Sequence, residues 1–126
     1  LEQCGSKKKD LLIAIGPAIS ATRYEVGEEV MQSIIKGIED ENHSSSSKKE
    51  NQLDSLIKKE VIKRINNEKY LLDIKKYAAE QLKNYGLASS QIEISELCTF
   101  EEKELFNSWR RDQSKTCQWS TIVSKN

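Results

Sequence analysis

Residues Ile15–Val30 read IGPAISATRYEVGEEV, and this stretch decides how the rest of the chain is arranged. The run before it, Leu11–Ile15 (LLIAI), is continuously apolar and predicts a strand covered on both faces. Gly16-Pro17 ends that strand, because glycine allows unusual φ and proline donates no ladder hydrogen bond. After a loop, Tyr24 and Val26 alternate with Arg23 and Glu25, which predicts a short extended piece. Gly27 precedes Glu28 and Glu29, and acidic residues in a first turn complement the positive end of a helix dipole. Val30, Met31, Ile34, Ile35 and Ile38 then form one apolar stripe, so the predicted helix packs on a core through one side.

Outward from this stretch, Leu1–Asp10 is a polar, lysine-rich lead-in. Residues 39–52 (EDENHSSSSKKENQ) hold no apolar side chain and predict a flexible polar insertion. The insertion contains His43, the only histidine. Leu53, Leu56, Ile57, Val61, Ile62 and Ile65 keep helical spacing as far as the break at Asn66-Asn67. A further helix is predicted over Glu68–Tyr85, stopped by Gly86 at a C′ position, with Lys75, Lys76 and Lys83 turned to solvent. Ile92 and Ile94, extending toward Leu97, alternate with Glu93 and Ser95 as a strand does. Thr99 is placed to cap a short helix over Phe100–Phe106, with Glu102 at the capping-box position. WRRD (Trp109–Asp112), a polar turn and an extended piece over Cys117–Val123 complete the chain. This order predicts an α+β fold with helices packed on a mixed sheet.

The totals bound what such a fold can do. The chain has 126 residues, enough for one domain or part of one. It carries 20 basic and 20 acidic residues, so no net charge draws it toward nucleic acid or a membrane surface. No apolar run approaches the roughly 20 residues of a membrane span, and Leu11–Ile15 is too short for a signal peptide core. A first residue of Leu rather than Met points to a piece of a longer protein. Cys4, Cys98 and Cys117 are odd in number and widely spaced, without a C-x-x-C pair. Free thiols in a reducing compartment follow, hence an intracellular location, in the cytoplasm or an organelle interior.

Familiar catalytic signatures are missing: there is no phosphate-binding glycine loop, no H-E-x-x-H and no G-x-S-x-G, and a nucleophilic triad would require His43. The most pointed feature is Arg110-Arg111-Asp112 behind Phe106 and Trp109. Two guanidiniums beside aromatics can hold a phosphate or stack on a base. Equally, one arginine can pair with Asp112 or a buried carboxylate and tie down the end of the chain.

Two blocks of sequence carry a family resemblance. The first is AIGPAISATRYEVGEEV (Ala14–Val30); the second is LCTFEEKELFNSWRRD (Leu97–Asp112), with Thr116 shortly after. Together they resemble the multicopper polyphenol oxidoreductase, or laccase-domain, family. Between them LDIKKYAAEQLKNYGL (Leu72–Leu87) followed by IEIS (Ile92–Ser95) is similar to the family's helix and strand. The resemblance covers nearly all of residues 1–126 outside the serine-rich insertion and corresponds to the C-terminal half of the family domain. It implies half of a four-layer α/β/β/α sandwich. It also implies a metal-dependent purine nucleoside phosphorylase with adenosine deaminase activity, in a family also linked to methylthioadenosine cleavage and polyphenol oxidation.

The family's zinc or copper is held by two histidines and a cysteine of the N-terminal half, which have no counterpart here. Cys98 falls in the family's Leu-Cys-Thr position, away from the metal. The resemblance therefore places no catalytic residue and no metal ligand in this chain, and leaves Arg110 and Arg111 as the substrate-binding candidates. The implied partners are a purine nucleoside, phosphate, and a second chain or the N-terminal half; nucleic acid and membrane are not among them. The chain departs from the family at Ala21, Thr22 and Arg23, where prolines and cysteines are frequent. It departs again at Gln113, Ser114, Thr116, Cys117 and Gln118, where glycines and Thr-Gly-Arg are usual. The alternative expectation is a non-catalytic, truncated or degenerate half-domain, because half a sandwich exposes an apolar face that requires a partner chain.

Overall fold

Five short strands and four helices form along the chain in the computed structural model, which describes residues 5–39, 46–119, 121 and 123. The strands are β1 (Ile13–Ile15), β2 (Glu25–Gly27), β3 (Ile62–Arg64), β4 (Lys69–Leu72) and β5 (Ile92–Ile94). The helices are α1 (Glu28–Glu39), α2 (Ser46–Lys58), α3 (Ile74–Asn84) and the single turn α4 (Trp109–Asp112). Among the described residues no helix is long and apolar enough to cross a membrane.

The strands make two sheets. An antiparallel sheet runs in the order β2-β4-β3, and a parallel pair joins β1 to β5. The mixed α+β architecture expected from the sequence is therefore present. The core lies under the antiparallel sheet, where Val26, Met31, Ile34, Leu56, Val61, Ile62, Tyr70 and Leu72 pack together. Met31 and Ile34 supply the buried edge of the α1 stripe, whereas Val30 is 38% exposed. Tyr24, Leu53 and Tyr77 close the margin of the cluster, and the Tyr77 hydroxyl donates to the Ile34 carbonyl at 3.1 Å.

The helix expected to continue to Ile65 ends at Lys58 instead. Glu60 adopts φ +55°, and the N–H groups of Glu60 and Val61 return to the carbonyls of Ile57 and Leu56. This is the hydrogen-bond pattern of a Schellman stop, with glutamate where glycine usually sits. The reversal sends Val61 and Ile62 into the core at 1% and 2% exposure.

The helix expected over Glu68–Tyr85 is likewise a strand followed by a helix. Asn66 Oδ1 accepts the N–H groups of Glu68 and Lys69 at 2.9 Å each, and that side-chain turn folds β4 back on β3. Asp73 then caps α3 by accepting from the Lys76 N–H at 2.9 Å. The expected stop at Gly86 is present, with φ +100° and bonds from Gly86 and Leu87 back to Lys83 and Leu82.

Two further expectations are corrected. Phe100–Phe106 is a series of turns rather than a helix, although Glu102 and Phe106 each make one helix-like backbone bond. Residues 117–119 carry no regular strand, and 120 and 122 lie outside the described residues. Within the polar insertion expected at 39–52, α1 reaches Glu39 and α2 begins at Ser46; His43 and the rest of 40–45 lie outside the described residues.

Truncating Ile62 should open a cavity where the core is tightest. We predict that Ile62→Ala lowers stability by about 2–4 kcal/mol, whereas Leu12→Ala, at a position 86% exposed, changes it little. Urea unfolding followed by circular dichroism measures both.

Candidate functional site

The two sequence blocks meet in space. The chain leaving β1 runs beside the chain leaving β5, and the Ser95 N–H donates to the Ile15 carbonyl at 2.9 Å. Ala18 and Cys98 form an isolated parallel bridge, and the Thr99 N–H donates to the Ala18 carbonyl at 3.1 Å. The Ser20 N–H donates to Cys98 Sγ at 3.2 Å. Further on, Arg23 Nε pairs with Glu101 Oε1 at 3.1 Å, and its guanidinium lies 5.4 Å from the centre of the Phe100 ring. The Gly16-Pro17 turn thus delivers the first block onto the second.

From the other side, Lys75 reaches out of α3 and donates to the carbonyls of Ser95 and Leu97 at 2.6 and 3.1 Å. Its side chain is buried, not turned to solvent as expected. The sequence carried a signal for this: Lys75 shares a helix face with Ala79 and Leu82, at i+4 and i+7, and Ala79 is buried.

The two arginines singled out in the sequence lie here and are used in opposite ways. Arg111 Nε donates to Asp112 Oδ1 at 2.7 Å, and Nη2 donates to Asp112 Oδ2 and to the Phe106 carbonyl at 2.8 Å each. Its Nη1 donates to the carbonyls of Thr99 and Phe100 at 3.1 and 2.7 Å. A guanidinium has five N–H groups, so every donor of Arg111 is occupied. This is the tying role that the sequence left open beside phosphate binding. Arg110, one residue away, is exposed and makes no hydrogen bond or ion pair among the described residues. Its guanidinium carbon lies 5.1 Å from the centre of the Tyr24 ring. Tyr24 belongs to the first block, where its alternation with Arg23 and Glu25 marks only an extended piece.

Charge within the junction is directed by these contacts. Arg111, and after it the Ser108 N–H, hold the Asp112 carboxyl below its ordinary range. Burial raises the Cys98 thiol, but the Ser20 hydroxyl and the N–H groups of Ser20, Glu101 and Phe100 outweigh it, and the net shift is downward. Beside the junction a cleft of about 260 Å³ is lined by Pro17, Leu105, Phe106, Asn107, Cys117, Gln118 and Trp119.

Among the described residues no group of three or more histidine, cysteine or acidic side chains is arranged to hold a metal ion. The Cys98 sulfur is surrounded by N–H donors, and Cys117 is exposed on the separate cleft. This donor set does not fit zinc or copper, which take several N, O or S ligands converging on one point.

The family described as multi-copper polyphenol oxidoreductase laccase matches residues 1–125. A Synechocystis protein named purine nucleoside phosphorylase slr1573 is 35% identical over 121 residues, 95% of this chain and 46% of that one. Purine nucleoside phosphorylase YlmD of Bacillus subtilis is 34% identical over 124 residues, 97% of this chain and 38% of its own. The crystal structure of YlmD from Geobacillus stearothermophilus superposes with a TM-score of 0.70 at 29% identity, covering 90% of this chain and 36% of that one. The chain thus spans less than half the length of these relatives.

Arg111→Ala strips the carbonyls of Thr99, Phe100 and Phe106 of their donor, so it should lower the thermal midpoint clearly, while Arg110→Ala should leave it nearly unchanged; differential scanning calorimetry compares them. A carboxylate whose folded pKa is depressed stabilises the fold above its unfolded pKa and ceases to as pH falls through the folded value. Asp112 is such a group, as is Glu80, depressed by Lys59 and then by Lys83. Stability should hold above about pH 5 and decline below about pH 4, and Asp112→Asn should flatten part of the decline when the midpoint is titrated with acid.

Proposed function

The chain belongs to the multi-copper polyphenol oxidoreductase laccase family, and on that footing we propose that it is the C-terminal part of a purine nucleoside phosphorylase. The names of its relatives, matched along almost the whole of this chain, carry the reading. In phosphorolysis an oxygen of inorganic phosphate forms a bond to the anomeric carbon of the nucleoside. The bond from that carbon to the purine nitrogen breaks, and its electron pair leaves with the base. Deamination of adenosine is the second reaction that the family resemblance brings to the same protein.

Within this reading the residues of the chain divide the work. Arg110 supplies an exposed guanidinium whose donors are unspent among the described residues, a group suited to an incoming phosphate dianion. Arg111 keeps the surrounding turns in place and contributes no donor to a ligand. By the family resemblance, the zinc or copper would be held by the two histidines and the cysteine of the N-terminal half. No step of the reaction is assigned to it.

A second reading rests on a separate observation. Among the described residues the parallel β1–β5 pair has two strands alone, and its isoleucines Ile13, Ile15, Ile92 and Ile94 are only half-buried. Parallel sheets are ordinarily covered on both faces, and a two-stranded sheet is marginal by itself. Leu12, Leu105 and Trp119 are exposed at 86%, 65% and 92%. A half-domain that becomes active only with its complement unites both readings.

The test is release of free purine from inosine or adenosine with and without phosphate. The chain alone should show no turnover, and turnover should appear once the complementary half is joined to it or co-expressed. In that active form Arg110→Ala should raise the phosphate KM about tenfold and leave the nucleoside KM nearly unchanged. An unchanged phosphate KM would remove Arg110 from the site.

A further inference from the structure

An arginine on a flexible stem is a poor anion site while it is free to move, because ordering it on binding costs side-chain entropy. Arg110 is exposed, yet it is not left to wander. Its neighbour Arg111 pins the backbone of α4 to the turns at Thr99, Phe100 and Phe106. Opposite it stands Tyr24, a residue of the other block. The Tyr24 carbonyl accepts from the Leu72 N–H at 3.1 Å, and its half-buried ring packs against the core cluster. That ring is therefore a fixed surface, and the Arg110 guanidinium lies over it at 5.1 Å. A cation is attracted to the face of a tyrosine ring without using any of its N–H donors.

We propose that Tyr24 is a positioning residue for anion capture: its ring fixes the Arg110 guanidinium in place while leaving the donors for an incoming phosphate. The proposal rests on the reading that Arg110 takes phosphate, and it adds the residue that prepares Arg110 for that task. Tyr24 itself touches no ligand and acts only through the guanidinium. Hydrogen bonding would have achieved the same ordering at the expense of the donors, as it does at Arg111. Ring stacking orders Arg110 and keeps it open.

The experiment is nuclear magnetic resonance of the Arg110 side chain in the active form, with the complementary half joined to this chain, and inorganic phosphate as the probe. Three forms are compared: unsubstituted, Tyr24→Phe and Tyr24→Leu. In the unsubstituted chain the Tyr24 ring current should shift the Arg110 δ and ε protons upfield, nitrogen relaxation should report a restrained Nε, and phosphate should shift the Nε–H resonance. Tyr24→Phe, which keeps the ring, should preserve all three. Tyr24→Leu should abolish the ring-current shift, free the Nε and weaken the phosphate response about threefold.

An Arg110 Nε equally restrained in Tyr24→Leu overturns the proposal, and so does a phosphate response that Tyr24→Leu leaves unchanged. Random-coil shifts for the Arg110 protons in the unsubstituted chain overturn it without any variant, which covers a Tyr24→Leu protein that does not fold. An Arg110 that is restrained by Tyr24 but indifferent to phosphate overturns it differently: the fault then lies in the phosphate reading, not in the stacking.

Discussion

The five hydrogen bonds of the Arg111 guanidinium are what the C-terminal third of this chain depends on. Between Cys98 and Ser108 the backbone belongs to no sheet and no continuous helix, so its carbonyls lack the partners that regular structure would supply. One planar side chain provides three of those partners and takes its counter-charge from the adjacent Asp112. Lysine could not substitute, since its ammonium has fewer donors and no fixed fork. With these turns held, Cys98 can face Ser20, Glu101 can face Arg23, and Arg110 can face Tyr24.

The same logic joins the chain's two sheets into one body of structure. The antiparallel sheet owns most of the apolar core, while the parallel pair owns the approach to the junction. Lys75 spans the gap, rooted in the helix that follows β4 and bonded to the carbonyls that follow β5. A buried ammonium is costly unless its protons are accepted, and here two backbone oxygens accept them. The junction is thus built from polar contacts laid over an apolar base.

Much of this was legible in the sequence, and the failures have physical causes. The acidic first turn of α1, the alternation at Ile92 and Ile94 and the glycine stop at Gly86 announce their structures; the apolar run before Gly16-Pro17 announces a strand, but one confined to Ile13–Ile15 and, with Leu12 exposed, not covered on both faces. The end of α2 was hidden because Glu60, not glycine, takes the left-handed position, and no composition rule marks it. Strand β4 reads as helix because Tyr70 and Ile74, four positions apart, satisfy both periods; Asn66 and Asp73, which turn the chain and cap α3, settle the matter through side-chain bonds. The block pairing of Ala14–Val30 with Leu97–Asp112 pointed to the family and to Arg110 and Arg111. It could not say that one arginine is spent and the other open, because that depends on carbonyls brought together by the fold.

The parallel register of β1 and β5 has a consequence for how the molecule comes into being. Ile13 lies opposite Ile92, 79 positions later (92 − 13), whereas the β3–β4 hairpin pairs Arg64 with Tyr70. Contacts between residues distant along the chain bear a large loop-closure entropy and form slowly. The β3–β4 hairpin can form from neighbouring residues, whereas β1 must close a loop of 79 positions to meet β5. The junction that carries Tyr24, Cys98 and Arg110 therefore bears a larger loop-closure cost than the hairpin, whatever the strength of its own contacts.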